Sequence, residues 1–296
     1  MFSKFSVYNE IFFPIFPKEK GEVLVSKIKT ILKELFCYLP FIWVLARYEK
    51  KASFQGHKFG IAWEYLNPLI QLATWGFVFG VLRNRSAVLV GENLIPFIPW
   101  MLVGMTAWGF MNGAAKRGGA SVRRKNKSFS KLKYPLSLLP AITMAQRLST
   151  YLVLLLLTLI VLFISGFTPT LQWFGFIYYF FSMLIFVYFL ALLLSTIIAR
   201  FRDFQNITKP IWRMLFFFSG PIWRVQEMMP GWFGRLMDLT PFSYIITGLR
   251  QTFFGVGFFG NNWLIRTAAF WLVVLLLAIA GTHSHLKYRN RLIEEV

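Results

Sequence analysis

The sequence has one cysteine, three histidines and twelve acidic residues in 296 positions, against 32 lysines and arginines. Cys37 alone excludes an intrachain disulfide and a thiolate metal cluster. His57, His283 and His285 have no metal-ligand neighbourhood, and the last two point in different directions on a helix. The dipeptide Gly-Lys is absent, so no Walker A phosphate loop exists, and no His-Glu-x-x-His is present. Ser149 and Ser195 have no base near them in sequence. Glu64, Glu227 and Asp238 are scattered and fall near expected membrane edges. No cofactor and no catalytic constellation is expected in this chain.

Charge is also scarce overall. Charged residues make up 15% of the chain and apolar residues 56%, with 34 Phe and 11 Trp. A soluble domain carries roughly a quarter charged residues. The apolar residues run in long uncharged blocks rather than the short alternating segments of a transmembrane barrel. The fold class expected is therefore an all-α polytopic membrane protein. The net charge of +20 then reads as basic residues retained in cytoplasmic loops, not as a nucleic-acid surface.

Six spans are expected, at about 65–82, 94–115, 136–167, 171–199, 204–223 and 267–286. Each satisfies its backbone internally only as a helix. Residues 1–62 carry ten basic residues and five Glu, too many for a span. Their first apolar stretch is broken by Pro14 and Pro17 and followed by Lys18 and Lys20, which does not read as a signal peptide. Leu24, Ile28, Ile31 and Leu35 recur at helical spacing, with Lys27, Lys29, Lys33 and Glu34 on other faces. This predicts an N-terminal amphipathic helix, lying in the membrane interface or packed on protein. Residues 224–266 are too apolar for a free loop and are cut by Pro230, Pro241 and several glycines, which suits re-entrant helices between spans five and six. Residues 287–296 form a short tail.

The loops set an orientation. Residues 116–133 hold eight basic and no acidic residues, residues 200–213 hold four basic residues and Asp203, and the tail holds Lys287, Arg289 and Arg291. The loop at 166–170 is uncharged. Both termini and the loops after spans two and four are thereby expected in the cytoplasm. Without an intramembrane carboxylate relay, ion-coupled transport is disfavoured. Large basic loops suit a cytoplasmic partner or anionic headgroups.

Several stretches resemble the ABC-2-type polysaccharide-export permeases. RYEKKASFQGHKFGIAWEYLNPLIQLATWGFVFG, residues 47–80, is similar to the family's opening, with Gly60, Trp63, Pro68 and Leu69 in place and Phe59 where Leu is usual. NKSFSKLKYP, RFRD, SGPIWRVQEMMP and LTPFSYIITGLRQTFF follow in family order, Thr240 standing where Asn is usual. IPFIPWMLVGMTAWGFMNGAAKRGGASV and SKLKYPLSLLP look most like the teichoic-acid export permeases of Gram-positive bacteria, with O-antigen and capsule permeases as close relatives.

The resemblance implies a permease in the bacterial plasma membrane. It would act as a homodimer with two copies of a separate cytoplasmic ATPase subunit that holds ATP and Mg. The cargo implied is an undecaprenyl-diphosphate-linked anionic glycopolymer, wall teichoic acid first and O-antigen or capsule as the alternative. A membrane-embedded enzyme acting on polyprenyl-linked sugars, or a membrane scaffold, are readings of a different class. Arg47, Lys50, Lys51 and Lys58 are the candidates for receiving the diphosphate headgroup, their bland alternative being lipid contact. Trp75, Phe79, Trp100, Trp108 and Phe110 are candidates for a sliding sugar path, or else for lipid-facing packing. Arg123, Arg124, Asn126, Lys127, Arg202 and Asp203 are candidates for coupling to the ATPase, a role compatible with topology signalling.

Overall fold

The computed structural model describes residues 24–53, 58–82, 87–90, 93–130, 134–201, 203–224, 231–255 and 263–294. Eleven α-helices dominate these described residues: α1 Leu24–Cys37, α2 Leu39–Ser53, α3 Trp63–Gly76, α4 Phe97–Gly119, α5 Ser121–Ser130, α6 Leu138–Ile164, α7 Gly175–Arg200, α8 Phe204–Ser219, α9 Trp232–Asp238, α10 Pro241–Phe254 and α11 Trp263–Glu294. One antiparallel hairpin joins them, β1 Ala87–Val90 and β2 Asn93–Pro96, with Val88 opposite Ile95.

Three helical stretches among the described residues are long and apolar enough to cross a membrane: Leu138–Ile164, Leu171–Arg200 and Trp263–Arg289. They match the expected third, fourth and sixth spans. The other three expected spans are more broken. α3 carries Pro68 within it and passes into a π-helical segment, Phe77–Leu82. The second expected span begins in β2 rather than in helix, which corrects the all-α expectation at this point. Pro96, with φ −53° and ψ 135°, holds the chain extended, and α4 starts one residue later. Pro99 falls in its first turn, where no intrahelical N–H is required. α8 stops after Ser219, four residues short of expectation, because Gly220 takes a left-handed conformation at φ 66° that caps the helix.

The core lies where α4, α6, α7 and α10 meet. α4 is buried on nearly every face, through Met101, Met111, Ala114 and Ala115 among others. Gly118 and Gly119 let α7 approach closely: a Cβ at either would crowd Ala191 or Leu194 of α7. In 224–266, the described residues form α9, α10 and the first turn of α11. Thr240 caps α10, its side chain accepting from the Ser243 amide, and Pro241 takes the first helical position. α10 then buries Phe242, Tyr244, Ile245, Ile246, Leu249 and Phe253 in protein.

α1 forms as the apolar spacing predicts. Its Ile31 is fully buried, and Ile28 and Leu35 pack on the core beside it. Phe36, Leu39, Val44 and Tyr48 of the α1–α2 arm remain exposed. The arm therefore packs on its own chain by one stripe and presents a second apolar stripe outward. Contacts of Arg289 with Glu34, Arg200 with Tyr288, and Arg123 with Gln205 gather α1, α5, the start of α8 and the far end of α11 at one end of the helical bundle.

Candidate functional site

At that end, three of the chain's few carboxylates bind the α1–α2–α3 arm to the foot of α6. Glu34 accepts from Ser137 Oγ and, at 2.9 Å, from Arg289 Nη1. Glu49 accepts from Gln146 Nε2 at 2.6 Å and is paired with Lys125 of α5. Glu64, at the start of α3, is only 6% exposed. It accepts from Thr150 Oγ1 at 2.8 Å and faces Lys50 Nζ at 3.3 Å and Arg147 Nη1 at 3.7 Å. Expectation placed Glu64 at a membrane edge with no role. The structure instead sinks it among two cations and a hydroxyl, which a buried carboxylate requires. Glu227 lies outside the described residues, and Asp238 is paired with Arg266 at 3.0 Å.

Lys50 also reaches Ser149, which bonds backbone and a neighbouring helix as a serine in a span is expected to. Its Nζ lies 2.6 Å from Ser149 Oγ and 3.1 Å from Tyr65 Oη. The polarity is the reverse of nucleophile activation, because Lys50 donates while the Ser149 hydroxyl donates onward to the Gln146 carbonyl at 2.8 Å. The arrangement ties α2 to α3 and α6. Of the four residues expected to receive a headgroup, Lys50 is thus buried and paired, while Arg47, Lys51 and Lys58 are exposed.

The aromatic candidates separate in the same way. Trp75 and Phe79 stack at 5.6 Å and stay half-buried. Trp100, Trp108 and Phe110 are buried within the chain. Trp108 meets Trp212 and Phe216 of α8 and Phe242 of α10 at ring distances of 6.5, 5.7 and 5.5 Å. Phe110 lies 5.2 Å from Tyr151. Trp108 therefore joins three helices rather than facing outward, and Trp100 on the same helix is buried as well.

The coupling candidates radiate from α5 to three neighbours. Arg123 Nη1 donates to Gln205 Oε1 of α8 at 3.0 Å. Arg124 turns back to cap α4, donating to the Arg117 carbonyl at 3.0 Å. Burial lowers the Arg124 pKa, an effect that Glu49 opposes. Lys125 completes the set through Glu49 of α2. The side chains of Asn126 and Lys127, and Arg202 altogether, lie outside the described residues. Asp203 is exposed at the N-cap of α8, where its side chain makes no cap hydrogen bond.

One residue escaped sequence reasoning. Arg250 of α10 is 8% exposed and donates to three backbone carbonyls, of Trp100, Gly220 and Pro221, at 3.2, 2.8 and 2.6 Å. Its guanidinium lies 3.2 Å from the Trp100 ring centre. The signal available was a lone Arg inside the apolar run FSYIITGLRQTFF. The carbonyls freed where Gly220 ends α8 need donors, and one planar fork supplies them.

Comparison with known proteins supplies an independent view. The family profile described as "ABC-2 type transporter" matches residues 40–254. A Klebsiella pneumoniae protein named "O-antigen export system permease protein RfbA" is 24% identical over 266 residues, covering 89% of this chain and 97% of its own length. A Myxococcus xanthus protein of the same name is 24% identical over 226 residues, 76% of this chain and 84% of its own. A second Klebsiella pneumoniae protein of that name is 23% identical over 265 residues.

Proposed function

Because this chain belongs to the ABC-2 type transporter family, we propose that it is the membrane permease of an ATP-driven exporter of a lipid-linked, O-antigen-type polysaccharide. The observation that carries this reading is likeness over nearly the whole length of relatives named as O-antigen export permeases. Teichoic acid, the cargo first expected from the sequence, is the second reading. It rests on the resemblance of residues 95–122 and 130–140 alone.

In this proposal the chain crosses the bacterial plasma membrane six times, with both termini in the cytoplasm. Residues 224–266 dip into the membrane and return, packed on protein. Two copies of the chain work with two copies of a cytoplasmic ATPase, which holds ATP and Mg and performs all the hydrolysis. Helix α5 docks in that ATPase. A displacement of α5 passes to α8 through Arg123 and Gln205, to α4 through Arg124, and to the α1–α2 arm through Lys125 and Glu49.

The polymer is carried on undecaprenyl diphosphate. Arg47, Lys51 and Lys58 receive the diphosphate, since exposed cations reach a lipid headgroup. Lys50 holds the arm that carries them. Trp75 and Phe79 keep ring surface available for sugars, which stack on aromatic faces with little directional demand.

The test is complementation in two export-deficient hosts, one making O-antigen and one making wall teichoic acid. The chain is expressed with its partner ATPase, and surface polymer is measured. Restored O-antigen with unchanged teichoic acid is the expected result. Teichoic acid restored alone moves the assignment to the second reading, and restoration of neither polymer rejects both.

A further inference from the structure

A second basic region lies apart from the headgroup candidates, in a cleft of about 170 Å³ between the end of α4, α7 and α8. Ala115, Leu194 and Ile198 form its apolar wall; Lys116, Lys209, Gln205 and Thr208 supply polar groups, and Trp212 closes one side. No Asp or Glu lines it among the described residues.

The two lysines of the cleft are both exposed and have different neighbours. Lys116 Nζ lies 5.6 Å from the centre of the Trp212 ring. Burial first, and then the charge of Arg213, lower the Lys116 pKa. Lys209 donates to the neutral Asn206 Oδ1 at 3.1 Å. Gln205 Oε1 is occupied by Arg123, so its amide nitrogen is the end left to donate. Two ammonium groups and an amide donor thus line one cleft beside an apolar wall, the Thr208 hydroxyl being engaged with the Gln205 carbonyl at 2.8 Å. Basic clefts between membrane helices receive phosphorylated headgroups.

We propose that this cleft binds a phosphoryl group, with Lys116 and Lys209 as its charged contacts and Trp212 as its wall. The apolar side at Leu194 and Ile198 suits the glycerol and first acyl carbons of an anionic phospholipid. Free phosphate offers the same charged chemistry without that apolar part. Occupancy ties α8 to α4 at Trp212, whose ring also touches Trp108 and Phe242. The site is independent of which polymer is exported.

The full chain, purified in non-ionic detergent, is titrated with short-chain phosphatidylglycerol, with phosphatidylcholine of equal chain length and with inorganic phosphate, and bound species are counted by native mass spectrometry. Phosphatidylglycerol should be retained at least tenfold better than phosphatidylcholine. Removing both charges with Lys116→Gln and Lys209→Gln should weaken phosphatidylglycerol about thirtyfold, at roughly tenfold or less per charge. Lys209 is exposed, so Lys209→Gln alone keeps the fold intact and should still weaken binding severalfold. Lys116→Arg keeps the charge and should retain it. Competition by millimolar phosphate identifies the free anion as ligand, and its failure to compete identifies the lipid. Equal retention of the two lipids with no phosphate bound would overturn the site. So would an equal loss in Lys33→Gln, a lysine on α1 far from the cleft in sequence.

Discussion

Arg250 and Trp100 are joined twice: the guanidinium lies over the indole, and its Nε donates to the carbonyl of the same tryptophan. The other two donors of the fork hold the turn at Gly220 and Pro221. One side chain therefore seats α10, α4 and the end of α8 together. Lysine has the charge but not the planar fork. Arg250→Lys should leave two carbonyls unsatisfied and lower stability by about 3 kcal/mol, read as a lower melting temperature in detergent. An unchanged melting temperature would remove the stapling role.

Gly104 faces the same staple. A Cβ there would collide with the Arg250 guanidinium and the Pro221 carbonyl. Gly104→Ala should cost about 1–3 kcal/mol through overpacking. Combined with Arg250→Lys, it should add less than its separate effect, because both act on one contact. Full additivity in melting measurements would place the two residues in separate roles.

Glu64 makes a prediction of opposite design. Glu64→Ala strands Lys50 and Arg147 without their carboxylate and should cost about 3–5 kcal/mol. Adding Lys50→Met removes one stranded charge and should restore more than half of that loss. A double variant no more stable than Glu64→Ala would show that the pair is not the source of the effect.

Arg123 and Arg124 act on different neighbours, so they are best changed singly. Arg123→Ala breaks an exposed contact to Gln205, and stability should move by no more than about 0.5 kcal/mol. Polymer export should nevertheless fall severalfold with the partner ATPase still bound, because the link from α5 to α8 is gone. Wild-type export in Arg123→Ala would remove Arg123 from the coupling route.

The proposed orientation is tested by single cysteines in a Cys37→Ser background, Cys37 being exposed. Thr168 and Asp203 are both exposed and lie in successive loops. A membrane-impermeant thiol reagent applied to intact cells should label Thr168→Cys, while Asp203→Cys reacts only after lysis. Labelling of Asp203→Cys from outside would reverse the topology.

The parts of the fold legible in the sequence are those where hydropathy and length act alone. The expected spans at 136–167 and 171–199 fall on α6 and α7 within a few residues. The start of the second expected span did not, because Leu94 and Ile95 are as apolar in a strand as in a helix. Pro96 was the discriminating residue. The polar contacts around Glu64 and Lys50 were not legible either: Thr150 is 86 positions from Glu64, and Ser149 is 99 from Lys50. What the composition did offer was scarcity. Where carboxylates are few, each one is a point at which cations from distant segments can converge, and Glu34, Glu49 and Glu64 all serve in that way.

The Glu34 contacts bear on the order in which the chain assembles. One partner, Ser137, lies 103 positions further along, and the other, Arg289, lies 255 positions away. During synthesis α1 emerges long before α11 exists, so its seat is incomplete while the central helices are already forming. The Glu34–Arg289 contact can therefore form only once the end of α11 has been made, whereas the contacts of the arm with α6 through Glu49 and Glu64 need no part of α11.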